Sequence, residues 1–316
     1  MKRIVLAVLM LFTLSSNAQL SNQTKLLNWL NTNAVSLKDD YVSLLAKDLD
    51  SVKVLGLAEA SHGTKEFYQE KVKIIRYLIA NEGYREIGFE YLDTDLARIN
   101  GYVSGQKGDL KTLMKNLGLY NTEEFYTLFE WIKVHNHTNP TQLVSVFGFH
   151  QEDFYDPFTR DSLMANLVLE RQERLKQKII IWGHNLHLAR YDAKTVGANA
   201  MGKHLANKLS SKYFNIGFDT YEGGVSTLVF KTDGSFLFEK HQLEKPMNNF
   251  SEIFSKSNKA DFYVKFAKNN PFAEIESTIT NIWADWRKPF AIPVKLGLDY
   301  DALIFIRNTS ASEPLD

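Results

Sequence analysis

Glu59 with His62, Glu90, His150, and the pair His184 and His187 are the residues of this chain whose types and placing could move a proton. Each follows a short apolar, β-branched run. Glu59 closes Val52–Ala58 and Glu90 closes Glu86–Phe89; His150, Glu152 and Asp153 follow Leu143–Phe149, and the two histidines follow Lys178–Trp182. Such runs predict strands buried on both faces. In a parallel sheet their carboxyl ends share one edge, where open α/β folds bind ligands, so one polar pocket is expected there. An imidazole in that pocket can take a proton from water, while carboxylates orient it or raise its basicity.

Each group also has a bland alternative. A strand-end glutamate often caps the next helix, and Ser61 or Thr64 with Glu66 or Glu70 would serve that purpose without chemistry. Four strand ends that all carry such groups are harder to assign to capping. Other chemistries have less support. No GxSxG elbow occurs, and the adjacent Ser61 and His62 do not present their side chains to each other, which disfavours a serine nucleophile. His184 and His187 would share a face if a helix begins at once after Gly183, and with His62 and a glutamate they would offer a zinc set, yet no HExxH pattern is present. His135-Asn136-His137 reads as a solvated helix end. The chain has no cysteine, which excludes thiol chemistry and leaves stability to packing alone.

The elements that position these groups follow from periodicity. Thr64–Ala80 repeats Tyr68, Val72, Ile75 and Ile79 at helical spacing with Gly83 as a stop, and Arg160–Gln177 turns Leu163, Leu167 and Val168 inward. Strand and helix alternate, predicting an α/β fold with a mostly parallel central sheet flanked by helices. The stretch from Asp95 to His137 exceeds an ordinary connection. It predicts a helical insertion, at about 95–137, forming a lid on the pocket, with wall residues among Tyr102, Tyr120, Phe125 and Phe129 and the remainder in the core. Tyr213–Phe218, Ser226–Lys231 and Ala302–Ile306 are further strand candidates; Asn248–Asn270 has no clear pattern.

A length of 316 residues with a 44% apolar share suits one α/β domain. Lys2-Arg3, the apolar run Ile4–Leu14 and Ser16-Asn17-Ala18 predict a signal peptide at 1–18, cleaved to leave 19–316 as a single periplasmic or secreted domain. The apolar run falls short of the roughly 20 residues that span a bilayer, so no stable membrane insertion is expected after processing. Basic and acidic residues balance at 37 each, which leaves no polycation surface for nucleic acid.

The run Gly56-Leu57-Ala58-Glu59-Ala60-Ser61-His62-Gly63-Thr64, continuing through Glu66-Phe67 to Arg76-Tyr77-Leu78, resembles the opening signature of the erythromycin esterase family. Ile87-Gly88-Phe89-Glu90, Ile181-Trp182-Gly183-His184-Asn185-Leu186-His187, Met201-Gly202 with Leu205, and Asp301-Ala302-Leu303-Ile304-Phe305-Ile306 are similar to later family segments, in order. The resemblance implies a metal-independent, cofactor-free carboxylic ester hydrolase acting on a small-molecule ester or lactone, the macrolactone of erythromycin-type antibiotics among the substrates. It implies that His62 is the general base, that Glu59 and Glu90 support it, and that His184 and His187 shape or polarise the site. The family's usual arginine falls at Lys71, and its usual acid at the third strand end is His150; with Ser61 these are the expected substrate-binding residues. Related folds leave a metal- or haem-binding protein, or a metal-dependent hydrolase, as the alternative.

Overall fold

In the computed structural model, residues 21–190, 199–286 and 293–315 are described. The expected leader, 1–18, lies outside them. Nine strands form one sheet: β1 (Val35–Ser36), β2 (Val54–Leu57), β3 (Tyr84–Leu92), β4 (Ser145–His150), β5 (Lys178–Trp182), β6 (Tyr213–Phe230), β7 (Phe236–Leu243), β8 (Asp261–Lys265) and β9 (Ala302–Thr309). Their order is β1-β8-β9-β6-β2-β5-β3-β4, with β7 paired to β6. From β9 across to β4 every pairing is parallel, while β1, β7 and β8 join antiparallel. The sheet is therefore mixed and mostly parallel, as the sequence predicts.

Central strands of continuous apolar sequence require cover on both faces. Leu55, Leu57, Phe89, Ile180 and Trp182 point into one core layer with α1 (Lys65–Asn81), α2 (Asp93–Val103), α3 (Leu110–Met114) and α4 (Glu123–Thr138). Val54, Ile179, Ile181 and Phe305 point into the other, with α5 (Arg160–Leu175), α6 (Asn185–Leu188), α7 (Met201–Leu209), α8 (Phe250–Ser255) and the helical residues 21–33. Neighbouring residues of one strand thus serve opposite layers, as the pleat demands.

The insertion at about 95–137 is helical, and its helices pack on the sheet. Tyr102, Phe125 and Phe129 are core residues of the first layer; only the segment around Tyr120 reaches the cavity described below. Two strands expected at 213–218 and 226–231 are one strand. Gly223, at φ +118°, takes the turn that an L side chain resists, and a Cβ there would meet Thr309 O at 2.0 Å. Beyond it β6 leaves β9 and pairs with β7 as a hairpin that the sequence did not announce. The unpatterned 248–270 contains α8 and β8. Among the described residues no helix is long and apolar enough to cross a membrane.

Candidate active site

The carboxyl ends of β2, β3, β4 and β5 lie side by side, and the loops that leave them bring Glu59, His62, Glu90, His150, His184 and His187 to one edge. The loop after β2 is pressed against β6. Gly63 O accepts from Ser226 N at 2.9 Å and Ser312 N at 3.0 Å, and a Cβ on Gly63 would fall 1.7 Å from Ser226 O. No other residue fits, so this glycine sets where His62 stands.

Glu59 has no solvent exposure, and both of its oxygens are engaged. Oε2 accepts from Lys71 Nζ at 2.5 Å and from Trp182 Nε1 at 2.8 Å. Oε1 lies 2.7 Å from His62 Nδ1. With an ammonium and an indole N–H donating to Oε2, the Glu59 carboxyl is the acceptor of this cluster, which assigns the proton of a neutral His62 to Nδ1. Its Nε2 lone pair is left for the cavity, to which the side chain is 15% exposed.

Glu90 occupies the other side of the site. Its Oε2 accepts the His184 N–H at 2.7 Å and stands 3.9 Å from His62 Nε2; Oε1 lies 3.2 Å from His187 Nε2 and 3.3 Å from an Arg160 guanidinium nitrogen. Gly183 leaves room for this approach, since a Cβ there would be 3.0 Å from Oε2. Burial would raise the Glu90 carboxyl, but the His187 and His62 imidazoles, with Arg160, pull it well below the usual carboxylate range. His187 is clasped on its far side by Asp161, with Nδ1 2.9 Å from each oxygen. Burial opposes its charge, yet the Asp161 and Glu90 carboxylates overcome that and raise it to about 10.

His184 is the opposite case. Its Nε2 lies 3.1 Å from both Ala60 O and Ile282 O, and its Nδ1 accepts from Leu186 N at 3.2 Å. Burial, reinforced by the neighbouring His62, holds it down to about 3, so the ring is neutral. It ties the His62 loop to the segment near Ile282. His184 and His187 both spend their ring nitrogens on protein groups, so the trio with His62 does not fit a zinc ligand set. Among the described residues no group of three histidines or acids is arranged for a metal.

A cavity of about 660 Å³ opens over His62 and Glu90. One wall is Asn116–Tyr120 from the insertion; the other is the β6–β7 hairpin with Leu228, Phe230 and Phe236. His150 lines it, half-buried, and burial together with the Arg160 charge lowers its affinity for a proton. Lys71 and Ser61, expected at the substrate, stand elsewhere. Lys71 is fully buried beneath the floor as the partner of Glu59, and Ser61 is buried against the Thr64 hydroxyl. Neither lines the cavity. Sequence reasoning missed Trp182, Arg160, Asp161 and the hairpin. Trp182 sits inside the histidine motif and could have been noticed; Arg160 and Asp161 looked like the charged first turn of a surface helix.

The family model described as erythromycin esterase matches residues 79–157 and 150–309. Over 100 residues the chain is 30% identical to erythromycin esterase type II of Escherichia coli, a stretch that covers 31% of this chain and 23% of that protein. The chain therefore matches under a quarter of that relative's length. Among solved structures, a succinoglycan biosynthesis protein aligns at TM-score 0.80 and 16% identity, covering 93% of this chain and 99% of that one. A Bacillus cereus protein aligns at 0.73 and 20%, with coverages of 93% and 99%. A mutant erythromycin esterase in its open conformation aligns at 0.67 and 14%, with coverages of 87% and 95%. At such identities these likenesses carry the fold alone.

Proposed function

Since the chain belongs to the erythromycin esterase family, of hydrolases of the macrolide esterase type, we propose that it hydrolyses a carboxylic ester or lactone with water activated by His62. The observation that carries this is the Glu59–His62 contact at 2.7 Å, which orients an Nε2 lone pair toward the cavity, 3.9 Å from the Glu90 carboxylate. Two acceptors at that separation suit one bridging water, which donates to both.

In this reading the water oxygen attacks the ester carbonyl carbon, its proton passes to His62 Nε2, and the carbonyl electron pair moves onto the oxygen. On collapse the bond to the leaving oxygen breaks, and His62 returns the proton to it, leaving an acid and an alcohol, or one opened chain from a lactone. Glu59 stabilises the imidazolium that forms, as a buried carboxylate does for a catalytic imidazole. Glu90 stays ionised and orients water without taking its proton. His187 and His184 are positioning residues: the first keeps Glu90 charged in a dry site, and the second fixes the loop that carries His62. No step calls for a metal or cofactor.

The substrate is proposed to be a neutral small molecule, a macrolactone or another ester, because the charges around the reacting centre are paired and the cavity walls are largely apolar. The leader-like residues 1–18 support work in the periplasm or outside the cell, which intact-mass measurement on protein from the producing cell would check. Activity is tested with a simple aryl ester and with fourteen- and sixteen-membered macrolides, following the gain of one water by mass spectrometry, before and after chelation. Turnover of small esters alone would remove the macrolide substrate and keep the hydrolase. Chelator-sensitive turnover restored by one divalent ion would replace His-activated water with a metal-dependent reaction.

A further inference from the structure

We propose that Tyr120 is a catalytic residue of this site, its phenol O–H donating to the carbonyl oxygen of the bound ester as negative charge develops there. The inference rests on the hydrolase reading. Tyr120 ends the short turn Gly118–Tyr120, where Gly118 takes φ +53°. Two other tyrosines pin that turn: Tyr68 Oη donates to Leu119 O at 3.1 Å, and the Tyr91 hydroxyl donates to Asn116 O. The Tyr120 ring stacks on Phe125 at 4.5 Å and meets the His62 ring edge-on at 6.0 Å. It is thus held from several sides, in the cavity wall beside His62 and Glu90.

Its hydroxyl is buried and has no hydrogen-bond partner. A buried donor left unpaired costs about 1–3 kcal/mol, so its retention calls for a reason. Tyr84 and Tyr263 also carry buried hydroxyls without partners, but neither lines the cavity. Position separates Tyr120 from them. Burial, then the Glu59 and Glu90 carboxylates, push its phenol well above its usual range, so the group keeps the proton it would donate. Arg160, beside Glu90, has its own unpaired Nε, but only Tyr120 both lines the cavity and meets the His62 ring. The Lys71 and His187 cations are spent on carboxylates, and the His62 N–H belongs to Glu59. Because the O–H is buried, seating a carbonyl oxygen against it requires the wall to move. The oxygen then gains a desolvated donor, which favours a developing oxyanion over a neutral carbonyl.

The test is Tyr120→Phe, assayed on an aryl ester beside wild type and His62→Ala, with binding of a phosphonate analogue of the tetrahedral state. Loss of one oxyanion donor typically lowers kcat about 10²-fold to 10³-fold. The variant should lose kcat on that scale with KM nearly unchanged, bind the phosphonate more weakly in proportion, and bind the acid product as wild type does. Its melting temperature should hold or rise, because an unpaired polar atom is removed. Normal kcat in Tyr120→Phe beside an inactive His62→Ala would overturn the role of Tyr120 and leave the hydrolase. A fall in melting temperature that accounts for the lost rate would show a structural hydroxyl and overturn it too. Wild-type protein that turns over no ester would overturn both.

Discussion

Lys71 Nζ and Glu59 Oε2, twelve residues apart in sequence and both closed to solvent, meet as an ion pair at 2.5 Å. Burial pulls the ammonium down to about 8, with Glu59 resisting, so much of the pair's attraction goes into offsetting desolvation. Removing one partner strands the other. Lys71→Met should cost about 3–5 kcal/mol in urea unfolding, and it should also slow hydrolysis, because Glu59 loses the ammonium that fixes its carboxyl group beneath His62 Nδ1. A denaturation midpoint equal to wild type would mean that Trp182 Nε1 alone sustains the carboxylate.

Much of this site was legible from strand ends. Glu59, His62, Glu90, His184 and His187 come together because a parallel sheet gathers its carboxyl ends, and the apolar runs before them identified the strands. The roles were less legible. Periodicity cannot tell that Lys71 faces inward on the same helix face as Tyr68 and Val72, since a lysine in an apolar stripe reads as an error until its carboxylate is located. Nor could spacing separate His184 from His187: three residues apart, one is held neutral by burial and the neighbouring His62, the other charged by carboxylates from β3 and α5. Those partners are remote in sequence. The hairpin was missed because Phe236–Leu243 mixes charged and apolar residues and pairs only with the far end of β6.

His62→Ala removes the imidazole whose Nε2 is left for the cavity beside Glu90. Loss of a general base costs about 10²-fold to 10⁴-fold in rate. Because the side chain is partly exposed and belongs to no core layer, the melting temperature should stay within a few degrees of wild type. An active variant, or one that unfolds, would sink the assignment.

Gly63→Ala probes position instead of chemistry. The added methyl would overlap Ser226 O, a backbone atom that cannot turn aside, so the loop must lift from β6 and carry His62 with it. We expect loss of activity with His62 intact, together with a stability loss of about 1–3 kcal/mol, the range common for disruptive single substitutions. Wild-type rates in a stable variant would show that the loop tolerates displacement.

The two buried histidines set opposite pH slopes around the unfolded value of about 6.5. Below it, the unfolded chain binds a proton that His184, held near 3, refuses, so stability falls as pH drops. Above it, the unfolded chain releases a proton that His187 keeps to about 10, so the stability from His187 is lost as pH rises across that window. Unfolding free energies measured in urea from pH 5 to 10 should therefore show His187→Asn least stable relative to wild type at the acidic end, by roughly 3–5 kcal/mol. The gap should narrow toward pH 10. A gap independent of pH would mean that His187 packs without carrying charge.

The hairpin wall should decide which esters are bound well. Phe230 lines the cavity yet is 61% exposed, and Phe236 stands beside it across from the wall that carries Leu117 and Leu119. An aromatic ring left so open gains little for the fold, so its truncation should change stability by less than about 0.5 kcal/mol. Against a bound apolar group the same ring would be covered. Burying a side chain of this size is worth about 1.5–3 kcal/mol when complete, and partial cover of two rings should supply at least about 1.4 kcal/mol, a tenfold factor in affinity. The double variant Phe230→Ala with Phe236→Ala should therefore raise KM for a long-chain aryl ester about tenfold or more. An acetate ester, too short to reach the hairpin, should keep its KM, and kcat for both should stay close to wild type because His62, Glu59 and Glu90 are untouched. Equal losses on the long and short esters would show that the hairpin supports the reacting centre, and unchanged KM for both would remove it from the binding site.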